Sequence, residues 1–466
     1  MKRKYIKTFV ASMLVTLAVT SCVDDKDYEP KLPQDPSIAE PKDYALPINE
    51  NKTFIHPGCM AAQADFDRAK RHVESGDEPW STAFTALKNA KFFKQNILRM
   101  DLYKGYLVRS DNTKRQYLEE LDEYYKGAGN YDKEYQDCSS AYSKAVYWKL
   151  TGDTQAADFA VKVLNTWAQN CKGVTGDNNK MLAIMEAGYD FASVAELMRD
   201  YEGWTAEDQA TFKEWLIKNF AERSIEYLDY HGNWPDGSTH YWSNWDLGNM
   251  LSLMAIGVYC DRPDFYNKVI NYITYGSGNG NWRRFINHLH PAIAGEDDID
   301  LGQTQEAGRD QGHNLLSIRL GAAICRIAWN QGDDLYGYDD NRFLKGAEFV
   351  AKYNYGPKIE EQQGIPLTYP FQPMIIAPGT YHKDNSDDAR GQYCSGFVSI
   401  FEHYKKYKNL STRYVKWAAK TPGQSDITAD TTKEVNIEPE TYNHNQGAGS
   451  SFGTLLFTED ESALQK

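Results

Sequence analysis

Apolar positions recur along this chain with helical spacing almost throughout, and the helices they predict come in pairs joined by short polar turns. Ala157, Val161, Leu164, Ala168 and Cys171 form one stripe at i, i+4, i+7 spacing, the period of a single helix face. Ala141 to Leu150 reads as the helix before it, and Gly152 in Thr151-Gly152-Asp153 supplies a residue that accepts the left-handed conformation past a helix end. A second pair runs through Leu247, Leu251, Met254 and Val258, turns at Asp261-Arg262-Pro263-Asp264, and resumes with Phe265, Val269 and Tyr272. A third joins Leu315 to Trp329 with Phe343 to Tyr353 across Gln331-Gly332-Asp333. Thr205, three residues before Asp208, has the spacing of an N-cap for a helix carrying Phe212, Trp215 and Leu216.

Strand signals are weak and local, the best being Gly364 to Ile376 and Ser451 to Phe457, so any sheet is expected to be small. Repeated helical hairpins without a regular short repeat predict an all-α fold, an incomplete α/α barrel (toroid) with a few short strands in its loops. The stretches Ser277 to Gln305 and Tyr369 to Asp388 are too long for plain connectors, and loops of that length on a rigid scaffold carry sites.

The ends alter this picture. Lys2, Arg3, Lys4 and Lys7 precede an apolar run from Phe9 to Val19, which is shorter than the roughly 20 residues a spanning helix needs. Residues 1–21 therefore read as a lipoprotein signal peptide, with Cys22 as the lipidation site and the membrane reached only through that N-terminal anchor. Asp24, Asp25, Asp27 and Glu29 follow at once, as in lipoproteins sent to the cell surface on the outer membrane, with the periplasmic face as the alternative. Residues 22–51 are rich in Pro, Asp, Lys and Glu and predict a flexible tether. Residues 52–466 form one catalytic domain on this reading, because 41% hydrophobic and 13% aromatic residues support a large core.

Charge and cysteines exclude some chemistries. A net charge of −14 argues against nucleic acid as a partner, since that binding needs a basic surface. An acidic sugar polymer remains open, because an arginine-lined cleft can invert the local field. Apart from Cys22, the cysteines are Cys59, Cys138, Cys171, Cys260, Cys325 and Cys394, with no C-x-x-C spacing to suggest a zinc or redox site. Cys171, Cys260 and Cys325 sit on apolar stripes and read as buried thiols. No cofactor and no metal is expected, and the acidic run Glu296-Asp297-Asp298 lacks an EF-hand spacing and reads as a solvated loop.

Two stretches concentrate polar and aromatic residues beside apolar helices. In the first, Asn233 to Asp246, Asn244 lies near a helix start with an amide able to donate to a carboxylate, and Trp242 and Trp245 offer flat faces for a sugar ring. In the second, Gln303 to Asn314, a helix beginning at Glu306 would put Glu306, Arg309 and His313 on one face. Between them Arg283 and Arg284, with His288 and His290 nearby, are candidates for binding further carboxylates, although such arginines equally pair with the neighbouring acidic run.

On these residues the chain resembles the alginate-lyase-like helical-toroid polysaccharide lyases, most closely polysaccharide lyase family 38. The resemblance is carried by His56-Pro57-Gly58, Ser243-Asn244-Trp245-Asp246-Leu247 and Glu306-Ala307-Gly308-Arg309-Asp310-Gln311-Gly312-His313, with extensions at Ala328 to Gly332, Asp339 to Arg342 and Ala351 to Asn354. A weaker echo at Tyr442-Asn443-His444 makes His444 a substrate-binding candidate.

The resemblance implies a lyase that cleaves a β-1,4-linked uronate polymer by β-elimination, with an anionic polysaccharide as its partner. Asn244 and Arg309 would neutralise the carboxylate, Glu306 would assist binding, and His313 would take the C5 proton. The leaving O4 needs an acid, commonly a tyrosine in these lyases. Tyr241, Tyr355 and Tyr442 are candidates, with Tyr241 preferred for its position near one turn from Asn244, and His313 performing both transfers is the alternative. The chain departs from its relatives in having Trp245, where helical-toroid alginate lyases often have histidine, directly after the asparagine. Competing readings are a glycoside hydrolase using Glu306 with Asp246 or Asp297, and a surface glycan-binding lipoprotein without activity.

Overall fold

The computed structural model describes residues 46–111, 113–231, 241–376, 380–392, 394–420 and 452–460. Its helices, in chain order, are α1 (Gln63–Ser75), α2 (Trp80–Asn89), α3 (Tyr131–Thr151), α4 (Thr154–Asn170), α5 (Lys180–Met198), α6 (Ala206–Leu216), α7 (Glu222–Tyr230), α8 (Ser243–Tyr259), α9 (Pro263–Tyr275), the one-turn α10 (Trp282–Phe285), α11 (Gln311–Asn330), α12 (Tyr338–Gln363), α13 (Phe397–His403), α14 (Val415–Lys420) and α15 (Gly453–Phe457). The strands β1 (Tyr106–Arg109), β2 (Gln116–Leu118), β3 (Glu123–Tyr125), β4 (Gly173–Gly176), β5 (Ile286–His290), β6 (Leu301–Thr304), β7 (Met374–Ile376) and β8 (Thr380–His382) form two-stranded ribbons only. β1 pairs with β4 in parallel, while β2 with β3, β5 with β6 and β7 with β8 are antiparallel.

The three expected hairpins are α3 with α4, α8 with α9, and α11 with α12. Gly152 ends α3 at φ 78°, and Thr205 caps α6 by accepting the Asp208 N–H at 3.1 Å. α3, α5, α8 and α11 pack successively on one another, and α4, α9 and α12 each back one of them, which makes an all-α toroid.

Sequence explains which helices lie inside. Every residue of α8 is buried and Asp246 is its only charge, whereas α9 buries Phe265, Val269, Ile270 and Ile273 but leaves Asp264 exposed. A helix apolar all round belongs in a core, and each fully buried Leu, Ile or Met contributes about 1.5–3 kcal/mol. The α5–α8 contact depends on two glycines: a Cβ on Gly188 would fall 2.1 Å from Ser252 Oγ, and one on Gly248 would fall 2.1 Å from Met185 Sδ.

Some expectations are corrected. Gly453–Phe457 is helical, not extended, because its five residues are all buried and a short unbroken apolar run has no alternation to distinguish strand from helix. The acidic run is solvated only at Asp298: Glu296 and Asp297 bind the buried Lys352 Nζ at 3.0 and 2.7 Å. Leu46 packs on the core and the Asn49 carbonyl accepts from Asn267 Nδ2 at 2.7 Å, so the chain lies against the body before residue 52. Cys59, Cys138, Cys171 and Cys325 are buried free cysteines, and Cys260, expected to be buried, is a half-buried one. Among the described residues no helix is long and apolar enough to cross a membrane. Cys22 lies outside the described residues.

Candidate active site

The site begins with an unmet need at the start of α8. The first N–H groups of a helix have no partner within it, and Trp242, the N-cap, carries no side-chain oxygen to supply one. Two residues from the turn before α11 fill the role: Gln305 Oε1 accepts the Ser243 N–H and Glu306 Oε1 accepts the Asn244 N–H, both at 2.9 Å. A carboxylate here also meets the positive end of the helix dipole.

Glu306 is fully buried and becomes a hub. Its Oε1 further accepts from Asn244 Nδ2 at 2.7 Å, Ser243 Oγ at 3.0 Å and Ser317 Oγ at 3.0 Å, while Oε2 accepts from Arg309 Nη1 at 3.0 Å. Asn244 and Arg309, from separate elements, are thus held on the two oxygens of one carboxylate. Arg309 also lies over the Trp242 ring at 4.5 Å, which fixes the guanidinium plane.

His313 completes the group. Asp310 is the N-cap of α11: its Oδ1 accepts the His313 N–H at 2.8 Å, and its Oδ2 meets His313 Nδ1 at 2.6 Å. With Nδ1–H turned to Asp310, Nε2 is the acceptor, and Arg309 Nη2 stands 3.3 Å from it. Burial alone would raise the Asp310 pKa, but the bond and charge of His313, with Arg309, hold it below the ordinary carboxylate value. The His313 side chain remains 40% exposed, open to an incoming molecule.

Glu306, Arg309 and His313 are therefore together, though not on one helix face as expected. α11 starts at Gln311, and Glu306 to Asp310 is a turn in which the Arg309 N–H bonds the Glu306 carbonyl at 3.0 Å. Asp310, Ser243, Ser317 and Gln305 are the members that sequence reasoning missed. Asp310 had a readable signal, an Asp three residues before His313 at the head of an apolar run.

The remaining candidates differ in their surroundings. Trp245 is buried against Tyr241 and Tyr227, with ring centroids at 5.0 and 6.3 Å, and has no face for a sugar. Trp242 keeps partial exposure beneath Arg309. Arg283 is bound bidentately by Asp339 at 2.9 and 2.7 Å, and the largely buried Arg284 bonds the Ser277 carbonyl, so both brace loops. Tyr241 packs against Trp245, Tyr227 and His231, and its carbonyl accepts from Asn279 Nδ2 at 2.6 Å. Tyr355 is buried with its hydroxyl on the Gln392 carbonyl at 3.1 Å, which removes it as an acid. Tyr442 and His444 lie outside the described residues.

Beneath Tyr241, His231 Nε2 lies 2.6 Å from Asp246 Oδ1 in a buried ion pair. Burial opposes the charged imidazole, but the Asp246 carboxylate and the Tyr227 carbonyl outweigh it and raise the His231 pKa.

Among solved structures the chain is similar to alginate lyase A1-III from Sphingomonas species A1, at 12% identity over 89% of this chain and 100% of that chain with a TM-score of 0.53. It is also similar to a tyrosine-to-phenylalanine variant of alginate lyase A1-III complexed with tetrasaccharide, at 12% identity over 90% and 100% of the two chains with a TM-score of 0.57. These likenesses speak to the fold. No curated protein matches the chain. The family model described as alginate lyase matches residues 94–359, more than half of the chain and the whole of the Asn244, Glu306, Arg309 and His313 cluster, so this protein belongs to the alginate lyase family and is a polysaccharide lyase.

Proposed function

We propose that the protein cleaves a β-1,4-linked uronic-acid polymer, alginate and in particular its mannuronate, or glucuronan, by β-elimination at the Asn244, Arg309 and His313 cluster. The observation that carries this reading is the shared hold of Glu306 on Asn244 Nδ2 and Arg309 Nη1, with Arg309 in turn against His313 Nε2. The tetrasaccharide bound to the alginate lyase A1-III variant supports a polysaccharide substrate for a chain of this fold.

The C5 proton of a uronate is too weakly acidic to leave while the adjacent carboxylate keeps its full charge, so donors must stabilise the enolate-like intermediate. Asn244 has a second amide N–H beyond the one Glu306 takes, and Arg309 has further N–H groups in a fork that matches a carboxylate. His313 Nε2 removes the C5 proton. The electron pair of that C–H bond becomes the C4–C5 double bond as the C4–O4 bond breaks, and O4 gains a proton from His313 or from Tyr241. Asp310 steadies the imidazolium formed in between. Asn244, Arg309, His313 and Tyr241 are the residues on which this mechanism rests, and the closer tie to polysaccharide lyase family 38 rests on the Glu306-to-His313 motif.

A hydrolase would need Glu306 free to meet a glycosidic oxygen, and five donors already converge on that buried carboxylate. We also infer from the sequence that the chain is exported and acylated at Cys22, on the outer membrane. Cys22→Ala is expected to move the protein from the membrane fraction to the soluble one. Purified protein incubated with a panel of uronate polymers while ultraviolet absorbance is followed tests the activity: elimination leaves an absorbing double bond, and polymer shortening without absorbance would refute it.

A further inference from the structure

Near Trp242 three side chains keep a polar atom that is shielded from solvent and meets no hydrogen-bonding partner among the described residues: Gln305 Nε2, His382 Nε2 and Asn287 Oδ1. Contacts tie them into one neighbourhood. Gln305 Oε1 holds the Ser243 N–H next to Trp242, and the His382 ring meets Trp242 edge-on at 6.2 Å. His382 pairs with Met374 across β7 and β8, and Asn287 Nδ2 lies 3.3 Å from Met374 Sδ. The Gln305 N–H bonds the carbonyl of Phe285, two residues before Asn287, at 2.8 Å. Arg309 covers the Trp242 face at 4.5 Å, so the group borders the residues that hold the carboxylate.

The position of His382 is built into the fold. A Cβ on Gly308 would fall 2.5 Å from His382 Cβ and 2.9 Å from Nδ1, so only glycine admits the ring beside Arg309. Burial lowers the His382 pKa, an effect that the Gly308 backbone opposes and the Arg309 charge reinforces, leaving the imidazole neutral at pH 7. With Nδ1–H toward Gly308, Nε2 is left as an acceptor. Gln305 is 2% exposed, and its unused amide N–H is a donor in the same place. Buried polar atoms without partners destabilise a fold, and several of them beside a reaction centre mark a place whose partners arrive with a ligand.

We propose that Gln305, His382 and Asn287 form a subsite that reads ring hydroxyls of the sugar next to the one whose carboxylate Asn244 and Arg309 hold. The proposal rests on the lyase reading above. One donor and two acceptors without charge suit a pair of sugar hydroxyls, each able to give and to accept. An O-acetylated hydroxyl has no proton to give to His382 or Asn287 and is excluded.

The test is steady-state kinetics of the full chain on a uronate polymer, comparing wild type with His382→Phe, which keeps an aromatic ring against Trp242, and with Asn287→Leu. We expect kcat/KM to fall about 10- to 100-fold in each, while the melting temperature holds or rises as an unpartnered polar atom is removed. Wild type is expected to prefer unmodified over O-acetylated polymer by about 10-fold or more, and His382→Phe to narrow that preference to about 2-fold. Variants within about 2-fold of wild type, as ordered water on these atoms predicts, or a wild type indifferent to acetylation, would overturn the subsite. Should His382→Phe fail to fold, Asn287→Leu carries the same test. A wild type that yields no unsaturated product would overturn the lyase reading itself.

Discussion

Two polar clusters lie side by side at the head of α8, and they differ in how completely they are satisfied. Glu306 is saturated by donors from Ser243, Asn244, Ser317 and Arg309, whereas Gln305, His382 and Asn287 each retain an atom unmatched among the described residues. A saturated network in a low-dielectric interior fixes geometry, and an unsaturated one carries a cost until something binds. On the proposed reading the difference divides the labour: Glu306 positions the groups that would meet the reacting sugar without touching it, and the Trp242 neighbourhood would meet the sugar beside it.

Substitutions sharpen this contrast, starting with the largest effect. Glu306→Gln leaves Arg309 without its carboxylate and turns a wholly accepting group into one with a donor facing donors. Unfolding in urea should show a loss of about 3 kcal/mol, and initial rates should fall by about 10³-fold or more. Arg309→Ala removes one donor from a hub that keeps the others, so rates should fall about 10²- to 10³-fold with the fold retained. Arg309→Lys should recover little of this, since an ammonium lacks the fork. A stable, fully active Glu306→Gln protein would dissolve the distinction between the two clusters.

Asp310→Asn keeps the cap on α11 but loses the carboxylate on His313, and turnover should slow by about 10-fold. Because the folded pKa of Asp310 lies below its unfolded value, the stability it contributes is present above about pH 3.9 and is lost as pH falls through the folded value. Acid titration of unfolding should therefore be shallower in Asp310→Asn. The His231 and Asp246 pair works in the opposite direction and with a smaller effect. Its raised imidazole pKa stabilises the fold below about pH 6.5, and that contribution is lost as pH rises through the folded value. Asp246→Asn should flatten this alkaline slope, worth about 1–2 °C in melting temperature.

The toroid was legible in the sequence because its hairpins bury one stripe each, and Ala157, Val161 and Leu164 survive as a buried face of α4, although Cys171 falls just past the helix end as its extended C-cap. The Glu306, Arg309 and His313 grouping was legible from spacing, but its cause was not. Two helix N-termini organise it: Glu306 serves α8 from a distant segment, and Asp310 serves α11 locally. Distant partners also explain the misplaced candidates. Nothing near Arg283 announces Asp339, and nothing in Asn244-Trp245 indicates that the indole turns inward onto Tyr227. His382 lay in a loop flagged for its length, yet its meeting with Gly308 and Trp242 is a tertiary fact.

The central claim is that the His313 imidazole, aimed by Asp310 and bordered by Arg309, removes the sugar's C5 proton. Its most direct test is the rate of unsaturated product from His313→Ala on a uronate polymer, with and without added imidazole. A fall of about 10²- to 10⁴-fold, partly restored by imidazole, is the predicted result. A near-normal rate without imidazole would contradict it.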